Sequence, residues 1–139
     1  MITLFVAALA FSSPEPAAPP ALAAAATRLV ADSDASRAAR DWLTLVDAGN
    51  WPESWAATGA YFQTVNSLAN WQAAAEQVHA RLRPAVSREL VRDDSTPAPP
   101  NCYRSVRFRT TFANNRSATE VLALSREGDR WRVVGITVE

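Results

Sequence analysis

The feature that most constrains the fold is a change of hydrophobic period at Pro84. Before it, apolar residues recur at three- and four-residue spacing, as on one face of a helix. After it, apolar and polar residues alternate, which is typical of strands. Helices followed by a run of strands predict an α+β domain, with the helices packed on one face of an antiparallel sheet. The 139 residues are enough for one such domain.

The first helix is predicted from Asp34 to Ala48. Ser33 or Asp34 can cap its start by accepting a hydrogen bond from a free backbone N–H. Gly49 stands where a helix end favours a left-handed residue. A second, short helix is predicted to begin at Pro52, which suits a first helical turn. The same proline is expected to hold Trp51 in an extended conformation.

Residues 60–65 are expected to continue helically after the break at Gly59. A third helix is predicted from about Ser67 to Arg83, with Asn66 as its cap, and Pro84 ends it. Its apolar stripe comprises Leu68, Trp71, Ala74, Ala75, Val78 and Leu82.

Strands are predicted after Pro84 over residues 85–94, 102–112, 118–126 and 130–138. The segment 95–101 is predicted to be a loop, because its three prolines cannot donate to a sheet ladder. The sequence "EGD" before the last strand indicates a tight hairpin. In the second strand one face carries Val106, Phe108, Thr110 and Phe112, and the other carries Tyr103, Ser105, Arg107, Arg109 and Thr111.

Composition argues against several classes of function. Acidic and basic residues balance at 14 each, so the basic excess of a nucleic-acid-binding protein is missing. A single cysteine, Cys102, allows no internal disulfide; it could be reactive or pair with another chain, but a half-buried, inert thiol is favoured. One histidine and one cysteine are a poor supply of zinc ligands. The sequence therefore predicts neither a metal site nor a cofactor.

The amino-terminal segment is interpreted as signal-like. Residues 1–11, "MITLFVAALAF", form an apolar run followed by small residues, although no Lys or Arg precedes it. A start codon further upstream would supply the missing basic residues. The run is too short for a membrane span. We expect residues 1–32 to be a signal-like segment with an Ala/Pro-rich linker, residues 33–139 to be the folded domain, and the protein to be periplasmic or secreted.

Four segments occur in a fixed order: "DWLTLVDAGNWPESW", "AYFQTVNSLANWQ", "RLRPAVSREL" and "YRSVRFRTTFANNRSATEVLALSREGDRWRVVG". Over about residues 36–139 this ordered set resembles a bacterial family called domain of unknown function 4019. The layout is also similar to the larger cystatin-like and nuclear-transport-factor-2-like group. The resemblance implies about three helices on a curved antiparallel sheet of about four strands, forming a cone.

The resemblance also implies an exported or envelope-associated protein, and it brings no catalytic residues because the family has no assigned activity. The chain departs from the family at two places. Cys102 follows a proline-rich turn where the family has a glycine-containing one. The last strand reads "VVGITVE", where an aromatic residue often follows the glycine. If that aromatic residue closes a cavity in the family, the same pocket is not expected here.

The aromatic residues of the helices have two interpretations. Trp42, Trp55 and Trp71 lie on apolar stripes, and such stripes facing a sheet are ordinary core. Alternatively the same rings line a ligand cavity, with Trp55 and Trp71 as binding residues. The core interpretation is favoured, and both can hold in a cone-shaped fold.

His79 lies beside the apolar stripe of the third helix. As a general base it would need an orienting carboxylate, which Glu76 could supply from the preceding turn. A rim histidine is the simpler interpretation.

Tyr103, Arg107 and Arg109 share one face of a strand. They could form an anion-binding strip. An exposed sheet face with cross-strand pairs, for example to Glu120 or Glu127, is favoured.

These observations lead to two hypotheses. The favoured one is an exported, non-catalytic module that binds a protein partner or a small apolar ligand. The alternative is a small cone-fold enzyme that uses Tyr103, His79 or a carboxylate for acid–base chemistry in an aromatic-lined pocket. An apolar cavity with convergent polar groups is the feature that separates them.

Overall fold

The computed structural model describes residues 30–98 and 101–139, and it has the predicted α+β architecture. The helices are α1 (Asp34–Asp47), α2 (Trp51–Ala56), α3 (Ala60–Val65) and α4 (Leu68–Leu82). The strands are β1 (Ala85–Ala98), β2 (Asn101–Phe112), β3 (Ser117–Glu127) and β4 (Arg130–Val138). The strands form one open antiparallel sheet in the order β1-β2-β3-β4. The predicted signal-like run lies outside the described residues.

Helices α1 and α4 both begin at a serine. The Ser33 hydroxyl accepts a hydrogen bond from the N–H of Ser36, whose side chain in turn accepts from the N–H of Ser33. The Ser67 hydroxyl accepts from the N–H of Asn70. The prediction of Asn66 as the cap of α4 is therefore wrong by one residue, and Asn66 instead ends α3. Serine is the better cap here because its short hydroxyl reaches the third N–H of the helix.

The corner between α1 and α2 differs from the prediction by one residue. Gly49 has a φ of +69°, in the left-handed region, as predicted. Helix α2 begins at Trp51, so this residue is helical rather than extended, and Pro52 occupies the second position of the first turn. Proline is tolerated there because the N–H groups of a first turn have no partner within the helix.

Two predictions about the sheet are confirmed and one is corrected. The inner face of β2 carries the predicted buried residues, and the turn before β4 is the predicted hairpin. The predicted loop at 95–101 is shorter, because β1 continues to Ala98 and pairs with the start of β2. Pro97 is accommodated because β1 is an edge strand, where a missing N–H removes no ladder bond on the open side.

The prediction that Cys102 is half-buried is wrong, because its side chain is exposed.

Helix α1 lies across the sheet and forms most of the helix–sheet core. Trp42 and Leu43 of this helix belong to the same buried cluster as Phe108, Leu122 and Leu124 of the inner sheet face. The core interpretation of Trp42 is thus confirmed. Helix α4 makes its main contacts with α2 rather than with the sheet. The helix–sheet interface is consequently filled beneath α1 and incomplete beneath α4.

Ser54 connects three tryptophans at the boundary between these two parts. Its carbonyl accepts a hydrogen bond from Nε1 of Trp42 at 2.8 Å, and its hydroxyl accepts from Nε1 of Trp71 at 2.9 Å. The same hydroxyl donates to the carbonyl of Trp51 at 2.9 Å. Because Ser54 is fully buried, the first two bonds fix the indole rings of Trp42 and Trp71 away from water. Within the described residues, no helix is both long and apolar enough to cross a membrane.

Candidate functional site

A cavity of about 220 Å³ lies between α4 and the sheet. Its walls come from the end of α1, one face of α4 and the inner side of the sheet. The apolar part of the lining includes Trp71, Ala75, Val78, Leu82, Phe112 and Ile136. Val78 is 41% exposed, so the cavity meets solvent along α4. Ile136, the residue after Gly135, lines the cavity, so the absence of an aromatic residue at this position does not leave the chain without a pocket.

The cavity follows from the distribution of large and small residues on α4. Trp71 packs on Trp42 with ring centroids 5.4 Å apart and against the edge of Phe62 at 5.6 Å. One turn later the stripe carries Ala74 and Ala75, whose methyl groups fill little space. The tryptophan therefore holds the first turns of α4 in the core, and the alanines leave the interval before the sheet unfilled.

One side of the cavity is charged. Arg88 of β1 donates to both oxygens of Asp47, at 2.9 and 3.1 Å, and to both oxygens of Glu120, at 2.6 and 3.2 Å. Glu120 also accepts a hydrogen bond of 2.5 Å from the hydroxyl of Thr110. Two planar, bidentate carboxylate pairs of this kind use four of the five N–H donors of a guanidinium.

Arg88 stays charged in this setting. Burial on its own would lower the pKa of Arg88, but the hydrogen bonds to Asp47 and Glu120 and the attraction of both carboxylates outweigh burial and raise it above the usual arginine range. The two carboxylates share this one cation. Asp47 and Glu120 line the cavity, whereas Arg88 is not part of the lining and lies behind them.

His79 lines the cavity and is half-buried. Its Nε2 lies 3.4 Å from the carbonyl oxygen of Asp47, and its ring stands edge-on to Trp51 with centroids 5.7 Å apart. These contacts tie α4 to the end of α1. The predicted partner, Glu76, instead accepts a hydrogen bond from Gln72 on the exposed side of the helix.

The structure brings together two of the six predicted binding residues. Trp71 and His79 both line the cavity. Trp55 does not line it; this residue is half-buried against the core, and its Nε1 donates to the carbonyl of Asn66 at 2.8 Å. Trp55 therefore supports the packing of α2 on the end of α3.

Tyr103, Arg107 and Arg109 occupy the outer face of β2, away from the helices, so Tyr103 does not meet His79. Arg109 approaches Glu89 across the strand pair at 3.9 Å, and both side chains are largely exposed. The predicted pairing of this face with Glu120 is wrong, because Glu120 points inward. Anion binding by these three residues stays a prediction.

Sequence reasoning missed the charged side of the cavity, although part of its signal is present. Glu120 is in phase with Leu122 and Leu124, and Thr110 is in phase with Phe108. A carboxylate at a position of the buried face requires a partner, since an unpaired buried charge is costly. The partner Arg88 is harder to find, because β1 contains two register shifts that interrupt its alternation.

A second, more open depression of about 400 Å³ lies beside α1, where Trp131 and Arg132 of β4 face Ala38 and Leu45. Its charged lining residues, Asp41, Arg130 and Arg132, are exposed or half-buried. Among the residues that the structure covers, no three His, Cys, Asp or Glu side chains are placed to hold a metal ion.

Comparison with known proteins identifies a family and a fold. The sequence profile of the family described as "Protein of unknown function (DUF4019)" matches residues 38–136. No curated protein matches. A solved structure, Bd1075 of Bdellovibrio bacteriovorus, is similar, with 9% sequence identity and a TM-score of 0.50. The match covers 76% of this chain and 38% of Bd1075, so this chain spans well under half of that protein. At this identity the similarity concerns the fold alone.

Proposed function

We propose that this chain, which belongs to the DUF4019 family of proteins of unknown function, is a non-catalytic module that binds a small apolar ligand between α4 and the sheet. The observation that carries the proposal is the partly enclosed cavity beneath α4, with its apolar lining. Apolar cavities with a few fixed polar groups are the usual form of small-molecule sites.

The size of the cavity limits the ligand. An apolar cavity of roughly 150 Å³ takes up benzene. The volume of about 220 Å³ found here therefore suits one ring with a short substituent, or a short aliphatic chain. Trp71 and Phe112 provide aromatic surface for such a body, and burying it is favourable in proportion to the apolar area removed from water.

Two observations favour binding over acid–base chemistry at this site. The carboxylates that line the cavity are already paired with Arg88, and no buried side-chain polar atom in residues 30–98 and 101–139 lacks a hydrogen-bond partner. The pair proposed for catalysis is also split, since Tyr103 lies on the outer sheet face and His79 lies beneath α4.

The test is whether filling the cavity abolishes binding. Toluene would be titrated into the full chain, with tryptophan fluorescence and isothermal calorimetry as readouts. Ala75→Leu places a larger side chain at the cavity wall and is expected to remove binding. Ala73→Leu is the matched control, because Ala73 is on the same helix, is exposed and does not line the cavity. Equal affinities for toluene in the two variants would contradict the proposal.

We further propose that the protein is exported and belongs with the cystatin-like and nuclear-transport-factor-2-like folds. Export is supported by the apolar run at 1–11, and the fold by the order of helices before a four-stranded meander. Expressing the chain with its native start and fractionating the cells tests the first part. Recovery of the unprocessed chain in the cytoplasm would count against export.

A further inference from the structure

We infer that the ligand of this cavity is a small organic amine, with an apolar body against Trp71 and Phe112 and an ammonium group directed at Asp47 and Glu120. This inference rests on the proposed function and names the chemical class of the ligand. It follows from the charge, the free hydrogen-bonding capacity and the aromatic surface of the cavity.

The first step concerns which charged atoms a ligand meets. Asp47 and Glu120 line the cavity, and the guanidinium of Arg88 does not. Four of the five donors of Arg88 are directed at the two carboxylates. A molecule inside the cavity is therefore presented with hydrogen-bond acceptors on its polar side.

The second step concerns the charge that these groups leave uncompensated. Two carboxylates and one guanidinium carry a net charge of −1, and the Glu120 side chain is only 6% exposed. A buried net charge is unfavourable unless an opposite charge is close. With Glu120 buried and Asp47 and Arg88 half-buried, these three groups favour a ligand with one positive charge and disfavour an anionic one.

The third step concerns the acceptor sites that remain. An ionised carboxylate offers about four lone-pair sites. Oε2 of Glu120 accepts from Arg88 and Thr110, whereas Oε1 accepts only from Arg88 among residues 30–98 and 101–139. Each oxygen of Asp47 accepts one hydrogen bond from Arg88. Sites for further donors thus remain on both carboxylates, and an ammonium group has three donors to offer.

The aromatic residues that line the cavity also favour a cationic ligand. Trp71 and Phe112 line the cavity, and aromatic faces attract cations when water is excluded. Two other titratable groups, His79 and Arg83, also line it. Arg83 is exposed, so its charge is screened by solvent and salt. It therefore opposes an entering amine less than the buried Glu120 and the half-buried Asp47 attract it.

The test compares four probes of similar shape on the full chain near neutral pH: benzylamine, benzyl alcohol, toluene and benzoate. We expect benzylamine to bind about tenfold more tightly than benzyl alcohol or toluene, because a hydrogen bond to a charged partner is worth about that factor. Benzoate is expected to bind most weakly. Isothermal calorimetry provides the affinities.

Variants locate the preference. Glu120→Gln and Asp47→Asn should each lower the preference for benzylamine over toluene several-fold. Asp93→Asn is the matched control, because Asp93 is a buried carboxylate paired with Arg104 outside the cavity; its preference should equal that of the unmodified chain. If Glu120→Gln fails to fold, Asp47→Asn still tests the role of the carboxylates. This variant is expected to fold because the Asp47 side chain is 28% exposed.

Three outcomes would overturn the inference, and they can be told apart. If toluene or benzoate binds as tightly as benzylamine, the cavity binds ligands but the amine class is wrong. If no probe binds, the proposed function fails together with the inference. A preference for benzylamine that persists in both carboxylate variants would also refute the assigned role of Asp47 and Glu120.

Discussion

The two ends of α1 are held to the sheet in the same way, yet of the two clusters that hold them only the one at its end lines the cavity beneath α4. At its start, buried Asp93 accepts hydrogen bonds from the Ser33 hydroxyl and from Arg104. At its end, Asp47 and Glu120 share Arg88. Both clusters contain a carboxylate that is almost fully buried. An arginine–carboxylate cluster therefore fixes the helix to the sheet without determining whether the adjacent space is filled.

The two regions differ in how closely the helix above the sheet packs on it. Beneath α1 the interface contains Ala39 and Leu43, which pack to zero exposure with Phe108 and Leu122. Beneath α4 the middle of the facing stripe carries Ala74 and Ala75, and the helix packs on α2. We call these the filled part and the open part of the interface. Closely packed interiors resist changes in volume, whereas an existing cavity can absorb them.

Truncating an aromatic ring should distinguish the two parts most strongly. Phe108→Ala, in the filled part, is expected to lower the free energy of unfolding by about 3–5 kcal/mol, because it creates a new cavity. Phe112→Ala, in the open part, should cost about 1–2 kcal/mol less, because that ring already borders empty space. Urea unfolding measures both. Equal losses would show that the open part is as tightly packed as the filled part.

Removing each arginine tests the two clusters. Arg88→Met is expected to cost about 3 kcal/mol, because it leaves two carboxylates beside the cavity without their shared cation. Arg104→Met should cost about 1–2 kcal/mol, because Asp93 keeps the hydroxyl of Ser33 and Arg104 is the more exposed arginine. The comparison again uses urea unfolding.

A second variant separates charge from packing. Adding Glu120→Gln to Arg88→Met should restore part of the stability, because a neutral amide needs no cation. No recovery in the double variant, or a larger loss for Arg104→Met than for Arg88→Met, would contradict the assigned role of Arg88.

Local sequence patterns predicted much of the fold. The limits of α1, the alternation of β2 and the hairpin before β4 follow from periods and turn residues within a few positions. The structure departs from these predictions where contacts between distant parts of the chain determine the boundary of an element. Strand β1 continues through Pro97 because β2, which follows later in the chain, is available to pair with it.

The candidate site was predictable only in part. Trp71 and His79 could be named because they lie on or beside an apolar helical stripe, and Glu120 has a detectable phase with Leu122. Beside the small residues of α4, the cavity depends on how far this helix stands from the sheet, and α4 makes its main contacts with α2. That distance leaves no periodic trace in the sequence. Arg88 was missed for a related reason, since bulges in β1 break its alternation.

The smallest expected effect comes from enlarging an alanine in each part. Ala39→Leu, at a position with no exposure in the filled part, should destabilise by about 1–3 kcal/mol through overpacking. Ala75→Leu, at the wall of the cavity, should change stability by less than about 1 kcal/mol or raise it, because the added carbons enter existing space. Thermal and urea unfolding of the two variants give the comparison. A loss for Ala75→Leu as large as that for Ala39→Leu would mean that no usable space exists beneath α4, and the binding proposal would lose its basis.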